Sequence, residues 1–363
     1  MNRLYTQFEK FKNRIAEVTQ YIENITAKGV LLNELEVLSN TLDQRAFLSY
    51  LKSLASSTVQ YNAIVISLYG CYENYVDSVL KEYLDVLLEN VSDYNKLPPK
   101  LIEKYRYKLG EYLMSPQRFP VDELETTSAV RKFSEFAASN FDEGVDKVLL
   151  ISHANNLNTK ELFLLMRDMG IIDAQAKILN CLLFEQFYLE KVGMDISEFR
   201  AKRARKGSGD KYNSLFEPIE TLVSQRNSVA HSWSEENRIA PSTFTNEIIP
   251  FLLMFGECIL QQCLLTLFAY IPETSYSFTS RTPIKVIGNH VFCLNNQKKT
   301  IQVGDFLLYK SGEKVKCGKI LSLQEEGVDI TAIDDKQEKD VGVKIDTTIK
   351  EDDEICCIVN NLK

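Results

Sequence analysis

Leu222 to Trp233 reads LVSQRNSVAHSW, and four residues separate Arg226 from His231 in it. An accessible imidazole titrates near neutrality, so it can take or give a proton at pH 7. A guanidinium stays cationic, and its planar fork fits phosphate oxygens. A base beside a phosphate clamp is the minimum equipment for RNA cleavage without a metal. The imidazole removes the 2′-hydroxyl proton, the oxygen attacks the adjacent phosphorus, and the guanidinium stabilises the added negative charge. The products would carry a 2′,3′-cyclic phosphate and a 5′-hydroxyl. With 13 arginines and 3 histidines in 363 residues, about 0.1 such pairs arise by chance at any one spacing. The surroundings therefore have to carry the reading.

The pair closes an amphipathic helix expected over Phe216 to Ala230, with Leu215, Ile219, Leu222 and Val223 on its apolar face. Pro218 falls in the first turn, where a missing N–H is tolerated. Five residues of an ideal helix turn through about 500°, which sets Arg226 and His231 about 140° apart. They converge if the helix ends near His231 or if two chains meet there. Upstream, Arg200 to Asp210 (RAKRARKGSGD) is basic and Gly/Ser-rich. It reads as a mobile loop whose Arg200, Lys202, Arg203, Arg205 and Lys206 would hold an RNA backbone. A plainer alternative is that Arg226 and His231 only relieve the dipole at the helix C-terminus.

Composition bounds the rest. Of 363 residues, 45% are hydrophobic and 25% charged, as in globular proteins of about two domains. The net charge of -8 excludes a general nucleic-acid coat, so RNA contact needs a local basic patch. Three histidines, His153, His231 and His290, and no C-x-x-C pair argue against a metal centre. His153 and His290 read as structural or surface residues, and no cofactor is expected. The eight cysteines sit mostly among apolar neighbours, and the N-terminal MNRLYTQFEKFKNRI lacks the apolar core of a signal peptide. A reduced, cytoplasmic protein is the expectation. Ile248 to Ile271 is long enough to span a bilayer, but Pro250, Glu257, Gln261 and Gln262 favour a buried core helix.

Among the elements that must position these residues, the first is marked by Leu4, Phe8, Phe11, Ile15, Val18, Ile22 and Ile25, which recur at heptad spacing. Lys28-Gly29 is the expected end of that helix. Helices are expected over 43–89, 100–114, part of 121–147, 158–169 and 173–191, with a break at Pro98-Pro99. From residue 275 the hydrophobic period becomes two, in short runs separated by turn residues. The fold class is α+β multidomain: a helical bundle, then a small antiparallel β-barrel or sandwich. The divisions are 1–44, a helix packing on the bundle; 45–271, the helical domain; and 275–363, the β domain. In the β domain, Phe306, Tyr309 and Lys310 could stack a base, though ordinary strand positions account for them as well.

RNSVAHSW at the end of a helix in an all-α body resembles the Arg-x4–6-His motif of the HEPN ribonuclease superfamily. Asn after Arg and Ala before His resemble its bacterial RiboL-PSP/MAE-like branch, found beside RNA-repair and phage-defence genes. Tyr69-Gly-Cys-Tyr-Glu-Asn-Tyr75 resembles the aromatic–Glu segment on an earlier helix of that branch. The resemblance implies a HEPN-type bundle with Arg226 and His231 catalytic, Asn227 supporting them and Glu73 orienting or tuning the pair. It also implies an RNA substrate, a homodimer or HEPN–HEPN pairing, and a toxin or phage-defence role with an inhibitor or activator protein. Trp233 stands where many relatives have a small residue, placed to narrow the cleft or stack a base. A non-catalytic HEPN module that binds a nucleotide or a protein is the alternative.

Overall fold

The computed structural model describes all residues except 39–40, 55–56, 119–125, 154, 206–212, 232–237 and 360–363. The helices are α1 (Asn2–Leu38), α2 (Leu42–Leu54), α3 (Ser57–Asn90), α4 (Pro99–Met114), α5 (Thr126–Ala137), α6 (Phe141–Gly144) and α7 (Lys147–Ile151). They continue as α8 (Thr159–Asp168), α9 (Ala174–Leu179), α10 (Leu182–Gln186), α11 (Ile196–Ala204), α12 (Glu217–His231), α13 (Pro241–Thr243) and α14 (Ile249–Phe268). The strands are β1 (Lys285–Ile287), β2 (Val291–Asn295), β3 (Ile301–Gln302), β4 (Phe306–Ser311), β5 (Lys314–Glu325), β6 (Val328–Ile330), β7 (Ala332–Ile333), β8 (Asp340–Ile345) and β9 (Glu354–Val359).

Three long helices set the frame. The heptad positions Leu4, Phe8, Phe11, Ile15 and Ile22 bury one stripe of α1 against α3 and α14. The helix does not end at Lys28-Gly29 but runs on to Leu38. A side chain at Gly29 would meet nothing, so the residue lies on an open face where glycine weakens a helix by about 1 kcal/mol without forcing a break. The centre of the bundle is α3 against α14, the latter buried along most of its length. Apolar residues all round a helix mean burial on all sides, and the stretch read as span or core helix is core. Gly256 lets the helices approach: a Cβ there would lie 2.8 Å from the Phe11 ring and 3.2 Å from the Tyr75 ring. These two rings stack with centroids 4.5 Å apart, and the Tyr75 hydroxyl donates to the Gly256 carbonyl at 2.7 Å.

Two other expectations change. The stretch 173–191 is not one helix: α9 and α10 are separate, and α10 continues as a π-helical turn over Phe187–Lys191. Arg200, Lys202 and Arg203 stand on α11 rather than on a loop. Asp195 caps this helix by accepting from the Ser197 N–H at 2.7 Å, and buried Phe199 anchors it. Lys202 pairs with Glu198 one turn back, at 2.9 Å.

The strands form an antiparallel path in the order β1-β2-β8-β5-β4-β9, with β6 on β5 and a separate β3–β7 ladder. The path has β1 and β9 at its ends and does not close into a barrel. β4 is buried on both faces. Phe306 and Leu308 belong to the bundle core, whereas Leu307 and Tyr309 belong to the sheet's own core, as the two-residue side-chain period requires. The register between β4 and β9 shifts at Leu308/Tyr309. That bulge lets Cys356 and Cys357 both face the bundle, because two residues oppose one there. Burial of Phe306 and Tyr309 rules out base stacking on them. Lys310 is engaged by Glu273 at 2.8 Å.

Candidate active site

The C-terminal half of α12 lies against α3. Ile219, Leu222 and Val223 are buried, and the Tyr61 hydroxyl donates to the Oε1 of buried Gln225 at 2.5 Å. This fixes the rotation of α12 and leaves Arg226 and Asn227 half-buried at the bundle surface. The Arg226 guanidinium lies over the Tyr69 ring, 5.4 Å from its centroid, a cation–π contact that holds the fork while leaving its N–H edges to other partners. The described helix ends at His231, the condition under which the two motif residues were expected to converge. The His231 side chain, Trp233 and Lys206 lie outside the described residues.

Tyr69 is the hub. Its oxygen accepts the Leu157 N–H at 3.0 Å, and its hydroxyl donates to Glu73 Oε1 at 3.0 Å. Burial pushes the phenol's pKa up, with the Leu157 N–H acting in the opposite direction, so the ring remains a neutral donor. Glu73 follows Tyr69 by one helical turn and Asp77 follows Glu73 by another, the spacing that puts three side chains on one face. The segment between α7 and α8 closes the site. Asn156 donates its side-chain N–H to Asn227 Oδ1. Glu220 of α12 accepts the Thr159 N–H at 2.9 Å, and Asn158 caps α8 through the Glu161 N–H at 2.9 Å. These bonds hold that segment to α12 at both ends.

The same segment brings in His153, which the sequence placed among structural or surface residues. Its side chain is 17% exposed, with Nε2 3.7 Å from Asp77 Oδ1 and 4.0 Å from Glu73 Oε1. Nδ1 lies 2.7 Å from the Asn155 carbonyl. The Asp77 carboxylate raises the imidazole's pKa; burial opposes it, and the Asn155 carbonyl and Glu73 add to the rise. A carbonyl on one nitrogen and carboxylates by the other suit the doubly protonated cation. Glu73, Asp77 and His153 line a cleft of about 640 Å³, whose other walls carry Lys81, Arg106 and Lys108.

The structure thus gathers Arg226, Asn227 and Glu73 around Tyr69 and Asn156. It does not gather the basic segment with them. Asn213 donates to the carbonyls of Lys202 and Arg205 at 3.0 and 3.1 Å, tying that segment to the start of α12. Arg226 is ten residues beyond Phe216, about 15 Å along a helix. Arg203 is further engaged by Glu185 at 3.3 Å and by the Phe199 ring. Arg200 and Arg205 remain exposed. Tyr69, Asp77, His153 and Asn156 are the functional candidates that sequence reasoning missed. The i, i+4, i+8 spacing of Tyr69, Glu73 and Asp77 was a readable signal. His153 offered none, because its partners are some 80 residues away along the chain. Among the described residues, no group of three His, Cys, Asp or Glu side chains is placed to hold a metal ion.

No curated protein and no solved structure matches the chain. The profile of the family described as RiboL-PSP-HEPN matches residues 31–264, which include α3, α12, most of α14 and every residue of the site. The chain belongs to the RiboL-PSP-HEPN family.

Proposed function

We propose that this protein is a metal-independent endoribonuclease. Arg226 binds the scissile phosphate, His231 takes the 2′-hydroxyl proton, and Asn227 and Glu73 hold the motif through Asn156 and Tyr69. The observation that carries the reading is the Arg226 fork laid on the Tyr69 ring, beside a cleft with room for a nucleotide. Fixed cationic donors stabilise charge on a phosphorane without reorganising. The products are a 2′,3′-cyclic phosphate and a 5′-hydroxyl. Arg200, Lys202, Arg203, Arg205, Lys206 and Trp233 are the proposed RNA contacts beyond the centre, the basic group serving RNA that extends past the other end of α12. The protein acts in the cytoplasm as a toxin or phage-defence effector, under an inhibitor or activator protein. It works as a homodimer; exposed Val37, Leu38, Leu42, Phe47 and Tyr50 on α1 and α2 support that pairing, since contiguous exposed apolar side chains mark interaction surfaces. The three units 1–44, 45–271 and 275–363 cooperate in it.

The test is purified protein with total RNA in EDTA. Wild type is expected to cleave and leave cyclic phosphate ends, and Arg226→Ala and His231→Ala to lose at least about 10²-fold. Equal cleavage by all three removes the assignment. A second reading, a non-catalytic module that binds a nucleotide or protein, is favoured by one feature: Glu73 and Asp77 face the cleft of a protein with net charge -8, and carboxylates repel a polyanion. Growth of cells expressing wild type or His231→Ala separates the two, since toxicity abolished by loss of one imidazole belongs to a nuclease.

A further inference from the structure

Transfer to a 2′-oxygen needs two proton movements: one off the attacking hydroxyl and one onto the leaving 5′-oxygen. The Arg-x4–6-His motif supplies a single imidazole per chain, so within one chain the second movement lacks a group. The structure holds one candidate beside the motif. From Arg226 the contacts run to the Tyr69 ring, from the Tyr69 hydroxyl to Glu73, and from Glu73 to His153. One phenol and one carboxylate thus separate the phosphate clamp from a second imidazole at the cleft. Asp77 Oδ1 is shielded from solvent and has no hydrogen bond among the described residues; it faces His153 Nε2 at 3.7 Å. An orphaned buried carboxylate oxygen is costly unless it serves a nearby cation.

We propose that His153 is the general acid of the reaction, delivering its Nε2 proton to the departing 5′-oxygen, and that Asp77 is the positioning residue that keeps this imidazole oriented and charged. The inference rests on the ribonuclease reading. As the O2′–P bond forms, the 2′-hydroxyl proton passes to His231. As the P–O5′ bond breaks, O5′ takes the proton of His153. The cycle leaves His231 protonated and His153 neutral, and exchange with water resets both. The charged groups around His153 are Glu73 and Asp77 from α3; Lys81 from α3 and Arg106, Lys108 and Glu111 from α4 line the same cleft. Lys108 is matched by Glu111 at 3.1 Å, so the two α3 carboxylates dominate. The acidic wall that would repel RNA then has a purpose: it holds the proton that the leaving group needs, with Arg226 and the imidazolium offsetting its charge.

The experiment uses the full chain and an oligoribonucleotide carrying one site that the wild type cleaves, made with either the natural 5′-oxygen or a bridging 5′-sulfur. A thiolate leaves without protonation because its thiol is far more acidic than an alcohol. His153→Gln is expected to lose about 10²-fold or more on the oxygen substrate, to lose the alkaline fall of the pH–rate profile, and to recover wild-type rate on sulfur. His231→Ala is expected to stay inactive on both. Asp77→Asn is expected to keep activity at low pH and to move the alkaline fall to lower pH, since the carboxylate that raises the imidazole's affinity for its proton is gone. His153→Gln unchanged on oxygen, or slowed equally on both substrates, overturns the proposal while leaving the ribonuclease reading intact. Absence of cleavage by wild type overturns both.

Discussion

Tyr69 does more in this site than its apolar surroundings suggest. One ring supports the Arg226 guanidinium, while its oxygen connects the Leu157 N–H to Glu73. Tyr69→Phe keeps the platform and removes the bridge. The Leu157 N–H, in a buried position, then loses its acceptor, which costs about 1–3 kcal/mol. Urea denaturation should show that loss, with RNA binding nearly unchanged because the cation–π contact survives. A variant as stable as wild type would mean that water or another group takes the N–H. The segment Tyr69 to Tyr75 was recognisable in sequence as an aromatic–Glu element, but the partnership with residues 153–157 was not, because it joins positions 87 and 88 residues apart.

At the scale of elements, two close contacts hold α1, α3, α14 and the sheet in place. Gly256→Ala would drive a methyl group into the Phe11 and Tyr75 rings, neither of which can give way without disturbing the 4.5 Å stack. Overpacking of this kind costs about 1–3 kcal/mol, so a lower Tm is expected, although alanine is the better helix former. A Tm at or above wild type would show that the helices can separate freely. On the other face of α14, Lys319 Nζ of β5 meets Glu257 at 2.6 Å, and its backbone N–H donates to Asp346 Oδ1 at 2.7 Å. Burial pushes the Asp346 carboxyl up to about 6. A carboxyl whose folded pKa lies above the unfolded value of about 3.9 binds more protons in the native state. The stability it contributes is complete below the unfolded value and is lost as pH rises through about 6. Asp346→Asn keeps the acceptor oxygen and removes the titration, so its Tm should exceed that of wild type increasingly from pH 4 to pH 7. Parallel Tm–pH curves for the two proteins would contradict this.

For the whole molecule, the sheet is not an appendage. Phe306, Leu308, Cys356, Cys357 and Val359 complete the bundle core, and Tyr5 near the start of the chain donates to the Gly304 carbonyl at 3.3 Å. The C-terminal strands therefore stabilise the same body that carries the site, and any partner they engage acts on a shared core. The apolar side chains left over lie at the far end of α1 and on α2, where Val37 is 84% and Leu42 87% exposed. In a homodimer these would be covered. Sedimentation should give a dimer for wild type and a monomer for Phe47→Glu, because an unpaired charge buried in an apolar interface is strongly unfavourable. A monomeric wild type would remove the homodimer proposal.

The sequence alone determined the features that local periodicity encodes: the long helices, the α12 helix ending on the motif, the buried nature of 248–271, the change to strands after residue 275, and the family resemblance. These features depend on neighbours within a turn or two, and side-chain period reports them directly. Only the tertiary structure decided the features that depend on distant partners. It carried α1 through Gly29, because no packing opposed it. It made a helix of residues 196–204, because Phe199 found a pocket and Asp195 a cap. It left the strand path open and set the basic segment and the motif at opposite ends of α12. It also moved His153 from a plain loop residue to a charged group beside Glu73 and Asp77. Electrostatic environment is a property of three-dimensional neighbours, and the residues that set it here are scattered over some 150 positions of the chain.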